Sequence, residues 1–267
     1  MTEVPVRLDG RAAVVTGGGT GIGTATARLL ASQGADVVIA SRKMETLRRV
    51  AAEVGAETGR RIVPIEADVR DEHSCRDMAE QAAEILGRID ILVNNAGGSY
   101  MFPFLDTPVD RFDNNVSLNL RGPYVLTQAV APHMIRQGGG SIVNISSAAG
   151  LTGVRGGAVY SSAKAGLQML TRVVAAELGP YNIRCNCIAV GAVASEGALR
   201  SWARFGMTPE SVGESAPLRR VGQPEDIANG VLYFASDLSS WVSGETLGIN
   251  GGPLMGGLPE EPGTGRR

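Results

Sequence analysis

Short runs of β-branched and other apolar residues alternate along the chain with longer stretches in which apolar positions recur every three or four residues. The pairs are 12–16 then 22–33, 36–40 then 44–57, 62–67 then 73–86, and 89–93 then 110–136. The second half continues with strand patterns at 141–145, 183–190 and 245–249 and helical ones at 159–178 and 224–235. Runs such as VVIA and IVNI are apolar without alternation, as strands buried on both faces are. The pattern therefore predicts an α/β fold, a doubly wound parallel sheet with helices on both faces. At 267 residues the chain exceeds a common domain size, but no linker, charge block or fixed-period repeat divides it, so a single domain over 1–267 is expected. The Gly- and Pro-rich tail 253–267 reads as mobile unless a neighbouring subunit holds it.

Composition narrows the class. A net charge of -2 gives no basic field for nucleic acid, and no apolar run reaches bilayer-spanning length. The start, MTEVPVRLDGR, lacks the apolar core of a signal peptide, which predicts a soluble cytoplasmic protein with no membrane partner. Cys75, Cys185 and Cys187 form no disulfide framework, and a lone CxC pair with no companion ligands reads as packing, so no metal site is expected.

Candidate chemistry begins with lysine. The chain carries its positive charge on 23 arginines and only two lysines, yet Lys164 falls four residues after Tyr160, a coincidence of roughly 4% for a shuffled chain. Positions i and i+4 share one helix face, so a phenol and an ammonium can meet there. Such a neighbour is expected to lower the phenol's pKa, which suits a general acid/base for carbonyl/alcohol interconversion. Directly after the first strand comes TGGGTGIG at 16–23, opening into a helix; its glycines permit close approach to a pyrophosphate and the helix amides meet the charge. No GK[ST] follows, which disfavours ATPase chemistry.

Together with Asp68-Val69, NNAG at 94–97, NLRG at 119–122, Ser147 and YSSAK at 160–164, these motifs resemble the short-chain dehydrogenase/reductase family, in a form similar to 3-oxoacyl-carrier-protein reductases, over about 8–252. The resemblance implies a Rossmann-type fold and a catalytic tetrad of Asn119, Ser147, Tyr160 and Lys164. It further implies cofactor contacts from Gly17, Thr20, Gly21, Ile22, Gly23, Asp68, Val69, Asn95, Ala96, Gly97, Val193 and Ser195, with Tyr160 and Lys164 serving both purposes. Ser147, thirteen residues before Tyr160, rather than Ser146, is the expected serine. Two departures stand out: Val190 takes the place of a proline, and Asn250-Gly251-Gly252 replaces Asp-Gly-Gly.

At the end of the second strand, NAD-specific relatives place an acid for the ribose 2′-hydroxyl. Here Ser41 and Arg42 stand instead, with Lys43 next, which suits a 2′-phosphate and predicts NADPH/NADP over NAD. The alternatives are an NAD-dependent alcohol dehydrogenase and a non-catalytic dinucleotide sensor. An intact tetrad opposes the sensor. The helical stretches 110–136 and 159–178 are expected to pack against their copies in a homotetramer, as the family implies. Tyr100, Met101, Phe102 and Phe104 on one side and Leu199, Trp202, Phe205 and Met207 on the other predict a small-molecule carbonyl substrate with an apolar body.

Overall fold

The structure, a computed structural model, describes residues 6–98 and 101–252. All seven strands form one parallel sheet in the order β3-β2-β1-β4-β5-β6-β7. They are β1 (Ala12–Thr16), β2 (Asp36–Ser41), β3 (Ile62–Glu66), β4 (Ile91–Asn94), β5 (Gly140–Ser147), β6 (Ile183–Val190) and β7 (Thr246–Ile249). The chain leaves β1 toward β2 on one side and returns to β4 on the other, so a crevice opens beyond the carboxyl ends of β1 and β4, the place where such sheets bind ligands.

The uninterrupted apolar runs have a direct cause. In β1, Val15 packs into one apolar layer with Ile39, Leu47, Ile188 and Phe234, while Val14 packs into the opposite layer with Leu92, Met134 and Ile142. Helices α1 (Gly21–Ser32), α2 (Met44–Thr58) and α9 (Pro224–Ala235) cover the first face, and α3 (Glu72–Leu86), α5 (Gly122–Arg136) and α6 (Ala158–Leu178) the second. No described helix is long and apolar enough to cross a membrane.

Three departures from the expected elements bear on the site. The helical stretch 110–136 is interrupted: α4 (Val109–Val116) passes into a π turn, Ser117–Arg121, before α5 begins. Pro123 has no N–H for the carbonyl four residues back, and the Asn119 side-chain Nδ2 donates to the Asn115 carbonyl at 3.1 Å, so the ordinary ladder widens there. Strand β5 runs two residues beyond the expected 145, to Ser147, because it pairs with β6 along its whole length. Two short helices, α7 (Glu196–Arg204) and α8 (Pro209–Gly213), fill a stretch outside the strand–helix alternation, where a helix carrying Trp202 was one of two readings of the aromatic cluster.

Val190, in place of the family's proline, stays in register with Ser147 on one side and Ile249 on the other. Ladder pairing on both sides thus restrains the segment a proline ring would have stiffened. Asn250 also has a local use, its Oδ1 accepting from the Gly252 amide at 3.1 Å. The tail 253–267 and Tyr100 lie outside the described residues.

Candidate functional site

The glycine loop is built by close approach. Gly17 has φ +66°, and a Cβ there would lie 2.8 Å from Asn95 Nδ2 and 3.1 Å from Ala96 Cα. Thr16 Oγ1 accepts from the amides of both Asn95 and Ala96 at 3.0 Å, and Asn95 Nδ2 donates to the Thr16 carbonyl at 2.8 Å. The loop after β1 and the end of β4 are thereby one unit. Thr20 caps α1 in extended backbone without a side-chain bond to the helix, and no acid occupies the first turn. Amides at this helix start, beside Gly21 and Ile22, remain for an anion such as a pyrophosphate. Gly23 presses on the Gly17 carbonyl so closely that no Cβ fits. These features fit a dinucleotide.

Where the adenosine end would rest, Ser41 Oγ accepts from the Lys43 amide at 3.4 Å and lies 3.5 Å from the Cβ position of Gly19. The exposed Arg42 guanidinium makes no hydrogen bond among the described residues. Asp68 is engaged already: Arg70 Nε donates to its carboxylate at 3.0 and 3.1 Å. The Arg70 fork, with Arg42 adding charge, holds this carboxyl below its usual range against the opposing effect of burial. Adenine contact through Asp68 therefore has a competitor that the Asp-Val motif did not reveal. Val69 is buried, and its carbonyl lies 2.6 Å from the Cβ position of Gly122, so the 68–70 segment packs directly on the π turn.

Two of the four expected tetrad residues, Asn119 and Lys164, meet beside Gly97. A Cβ on this glycine would meet Asn119 Oδ1 at 3.0 Å and Lys164 Nζ at 3.2 Å. Asn119 is fully buried; its Nδ2 donates to Gly98 O at 3.1 Å and Asn115 Oδ1 at 3.0 Å, and its Oδ1 accepts from the Gly98 amide at 3.2 Å. Asn115 was not expected as a site residue. Ser147 ends β5 close enough to the Tyr160 phenol to pull its pKa down, whereas Ser146 is buried and donates to the Lys164 carbonyl at 3.0 Å.

Lys164 is 4% exposed, and its Nζ donates to the Ile145 carbonyl at 2.8 Å. Burial pulls its pKa down to about 8, with Cys187 opposing. Nζ lies 5.8 Å from the Tyr160 ring centroid. The expected lowering of the phenol's pKa by this ammonium does not prevail: burial pushes Tyr160 above its ordinary value, and the Ser147 hydrogen bond pulls it partly back. The amine is turned toward Ile145 O instead of the hydroxyl. Cys187 is a buried thiol raised to about 11 by desolvation, and Cys185 is buried beside Asn144.

Opposite the tetrad, Val193 bridges to Gly222 and Ser195 caps α7 through the Ala198 amide at 3.3 Å. The Ser195 Cβ comes 3.0 Å from the Cβ position of Gly21, so this segment closes over the glycine loop. Helix α7 buries no side chain completely, and Leu199, Phe205 and Met207 are exposed, as are Met101 and Phe104 across the crevice. Trp202 and Phe102 are half-buried, the latter under the Arg111 guanidinium at 5.0 Å.

A glycine cradle at the switch point of a parallel sheet, with a serine, a tyrosine and a buried lysine beside it, defines an NAD(P)-dependent oxidoreductase. The chain belongs to the short-chain dehydrogenase/reductase family. A family model described as Enoyl-(Acyl carrier protein) reductase matches residues 17–253. The chain is 36% identical over 254 residues to 3-oxoacyl-[acyl-carrier-protein] reductase FabG of Thermotoga maritima, covering 94% of this chain and all of that one. It is 39% identical over 253 residues to 7alpha-hydroxysteroid dehydrogenase of Escherichia coli K12, covering 94% and 96%. Among solved structures it resembles a 7 alpha-hydroxysteroid dehydrogenase complexed with NADH and 7-oxo glycochenodeoxycholic acid, with TM-score 0.89, 37% identity and coverage of 95% and 98%.

Gly23→Ala forces the Gly17 carbonyl aside and is expected to weaken NAD(P)H binding ~10-fold or more, measured by fluorescence titration of the nicotinamide. An unchanged dissociation constant would contradict the cradle.

Proposed function

We propose that this protein is an NADPH-preferring carbonyl reductase that interconverts a ketone and a secondary alcohol on an apolar or acyl-thioester substrate, as a cytoplasmic homotetramer. The observation that carries the catalytic part is the convergence of Asn119 Oδ1 and Lys164 Nζ on one point beside Gly97, with the Ser147–Tyr160 pair alongside. A nicotinamide dinucleotide held by the 17–23 loop would supply or take the hydride. Tyr160 donates the proton to the carbonyl oxygen, or accepts it from the alcohol, and Ser147 holds that oxygen. A phenol raised by burial keeps its proton at neutral pH, the form that reduction requires. Lys164 would bond the nicotinamide ribose, and Asn119 would hold a water linking the buried amine to solvent.

Three observations support the finer readings. Arg42 is exposed and makes no hydrogen bond with any described residue, so it is available to a 2′-phosphate. The apolar side chains of Met101, Phe104, Leu199 and Phe205 flank the crevice and suit a hydrophobic substrate. Phe112, Tyr124, Met169 and Val173 lie exposed on α4 to α6, apolar faces that suit contact between copies. A second reading, use of NADH, is favoured by the relative whose structure is complexed with that cofactor.

Tyr160→Phe is expected to lower turnover ~10²–10⁴-fold with the fold kept, assayed by nicotinamide absorbance across acyl thioester, steroid, quinone and sugar ketones. Full turnover in a step limited by chemistry would refute the mechanism. For the cofactor, NADPH is expected to bind about 10–100-fold more tightly than NADH, and Arg42→Ala to narrow that gap. Equal dissociation constants in the unaltered protein would overturn the NADPH assignment.

A further inference from the structure

Gln168 lies on α6 one turn beyond Lys164 and two beyond Tyr160, on the same face. A glutamine at such a position ordinarily points to solvent, yet this one is only 6% exposed. Its Nε2 donates twice, to Ser146 Oγ at 3.0 Å and to the Ser147 carbonyl at 3.1 Å. Ser146 Oγ in turn donates to the Lys164 carbonyl at 3.0 Å. A closed circuit results: the helix backbone at Lys164, the Ser146 hydroxyl, the Gln168 amide and the Ser147 carbonyl. Space around it is tight, because a Cβ on Gly150 would lie 2.7 Å from Nε2. The turn that follows Ser147 is thus seated on the Gln168 amide, and the Ser147 hydroxyl accepts from the Ala149 amide at 3.1 Å within that turn.

We infer that Gln168 is a positioning residue for the reaction, a clamp that fixes the end of β5 to α6 so that the Ser147 hydroxyl stays against the Tyr160 phenol. The inference rests on the proposed roles of Ser147 and Tyr160. Its physical basis is that serine and tyrosine sit on different elements, a strand end and a helix, whose relative placement the sheet ladder alone does not set. The ladder holds β5 to β4 and β6, and the bonds that tie α6 to β5, from Lys164 Nζ to the Ile145 carbonyl and from Asn144 Nδ2 to Thr171 Oγ1, both end short of Ser147. Two hydrogen bonds from one buried amide, each costly to leave unmade, remove the remaining sliding freedom beside the site.

The test reads the phenol directly. Ultraviolet difference titration of the full chain, each variant paired with the same variant carrying Tyr160→Phe, isolates the ionisation of Tyr160 from the other tyrosines. Gln168→Met, which fills the space but donates nothing, is expected to move the Tyr160 midpoint to higher pH, in the same direction as Ser147→Ala, because the hydrogen bond that favours the phenolate is loosened. A purely structural glutamine would lower the melting temperature and leave the midpoint where it is, which would overturn the inference. Should Gln168→Met fail to fold, Ser146→Ala removes one leg of the circuit; a smaller upward shift supports the clamp and none refutes it. Turnover of Tyr160→Phe is a separate reading: full activity there would sink the catalytic role while leaving the titration interpretable.

Discussion

The site depends on one buried bond, the donation from Lys164 Nζ to the Ile145 carbonyl at 2.8 Å. An amine that is 4% exposed is stable there only if hydrogen-bonded, and the bond takes a strand carbonyl near the carboxyl end of β5. It locks α6 to the sheet at the level where the crevice opens. Everything functional nearby is referenced to that contact: Tyr160 one turn earlier on the helix, Ser147 two residues later on the strand, and Gly97 with its empty Cβ position 3.2 Å from Nζ. The cost of burying a cation appears as a pKa pulled down to about 8, so near neutral pH the group is poised to exchange its proton.

Around this contact the chain spends polar groups sparingly but in connected sets. Asn94 Nδ2 donates to Asn144 Oδ1 at 2.8 Å, and Asn144 Nδ2 to Thr171 Oγ1 at 2.9 Å, tying β4, β5 and α6 beneath the site. Asn119, Asn115 and Gly98 form a second set, with the π turn as its frame. That turn also packs on the 68–70 segment, where Arg121 donates to the Arg70 carbonyl at 3.0 Å. The two ends of the crevice therefore share one rigid connection.

Much of this was legible in the residues. The central strands followed from apolar runs buried on both sides, since Val14 and Val15 each have a core to enter, and the glycine cradle followed from the spacing of 17–23. Helical periodicity could not register the π turn, because a one-residue widening leaves the apolar spacing on either side intact. Gln168 and Asn115 were missed for a related reason: a polar residue inside a helical stretch reads as solvent-facing until its partner on another element is known. The Tyr160/Lys164 spacing correctly put the two on one face, but the strand carbonyl that captures the amine cannot be seen from spacing. The predicted lowering of the phenol's pKa failed on that point.

The most direct measurement is the titration of the Lys164 side-chain nitrogen itself. Only two lysines occur in the chain, so nitrogen-15 labelling gives two side-chain signals, and Lys164→Arg identifies which is which. A buried amine held by Ile145 O should titrate with a midpoint of about 8. A midpoint at the ordinary lysine value, about 10.4, would mean that the amine is solvated, and the account of the site built on its burial would be wrong.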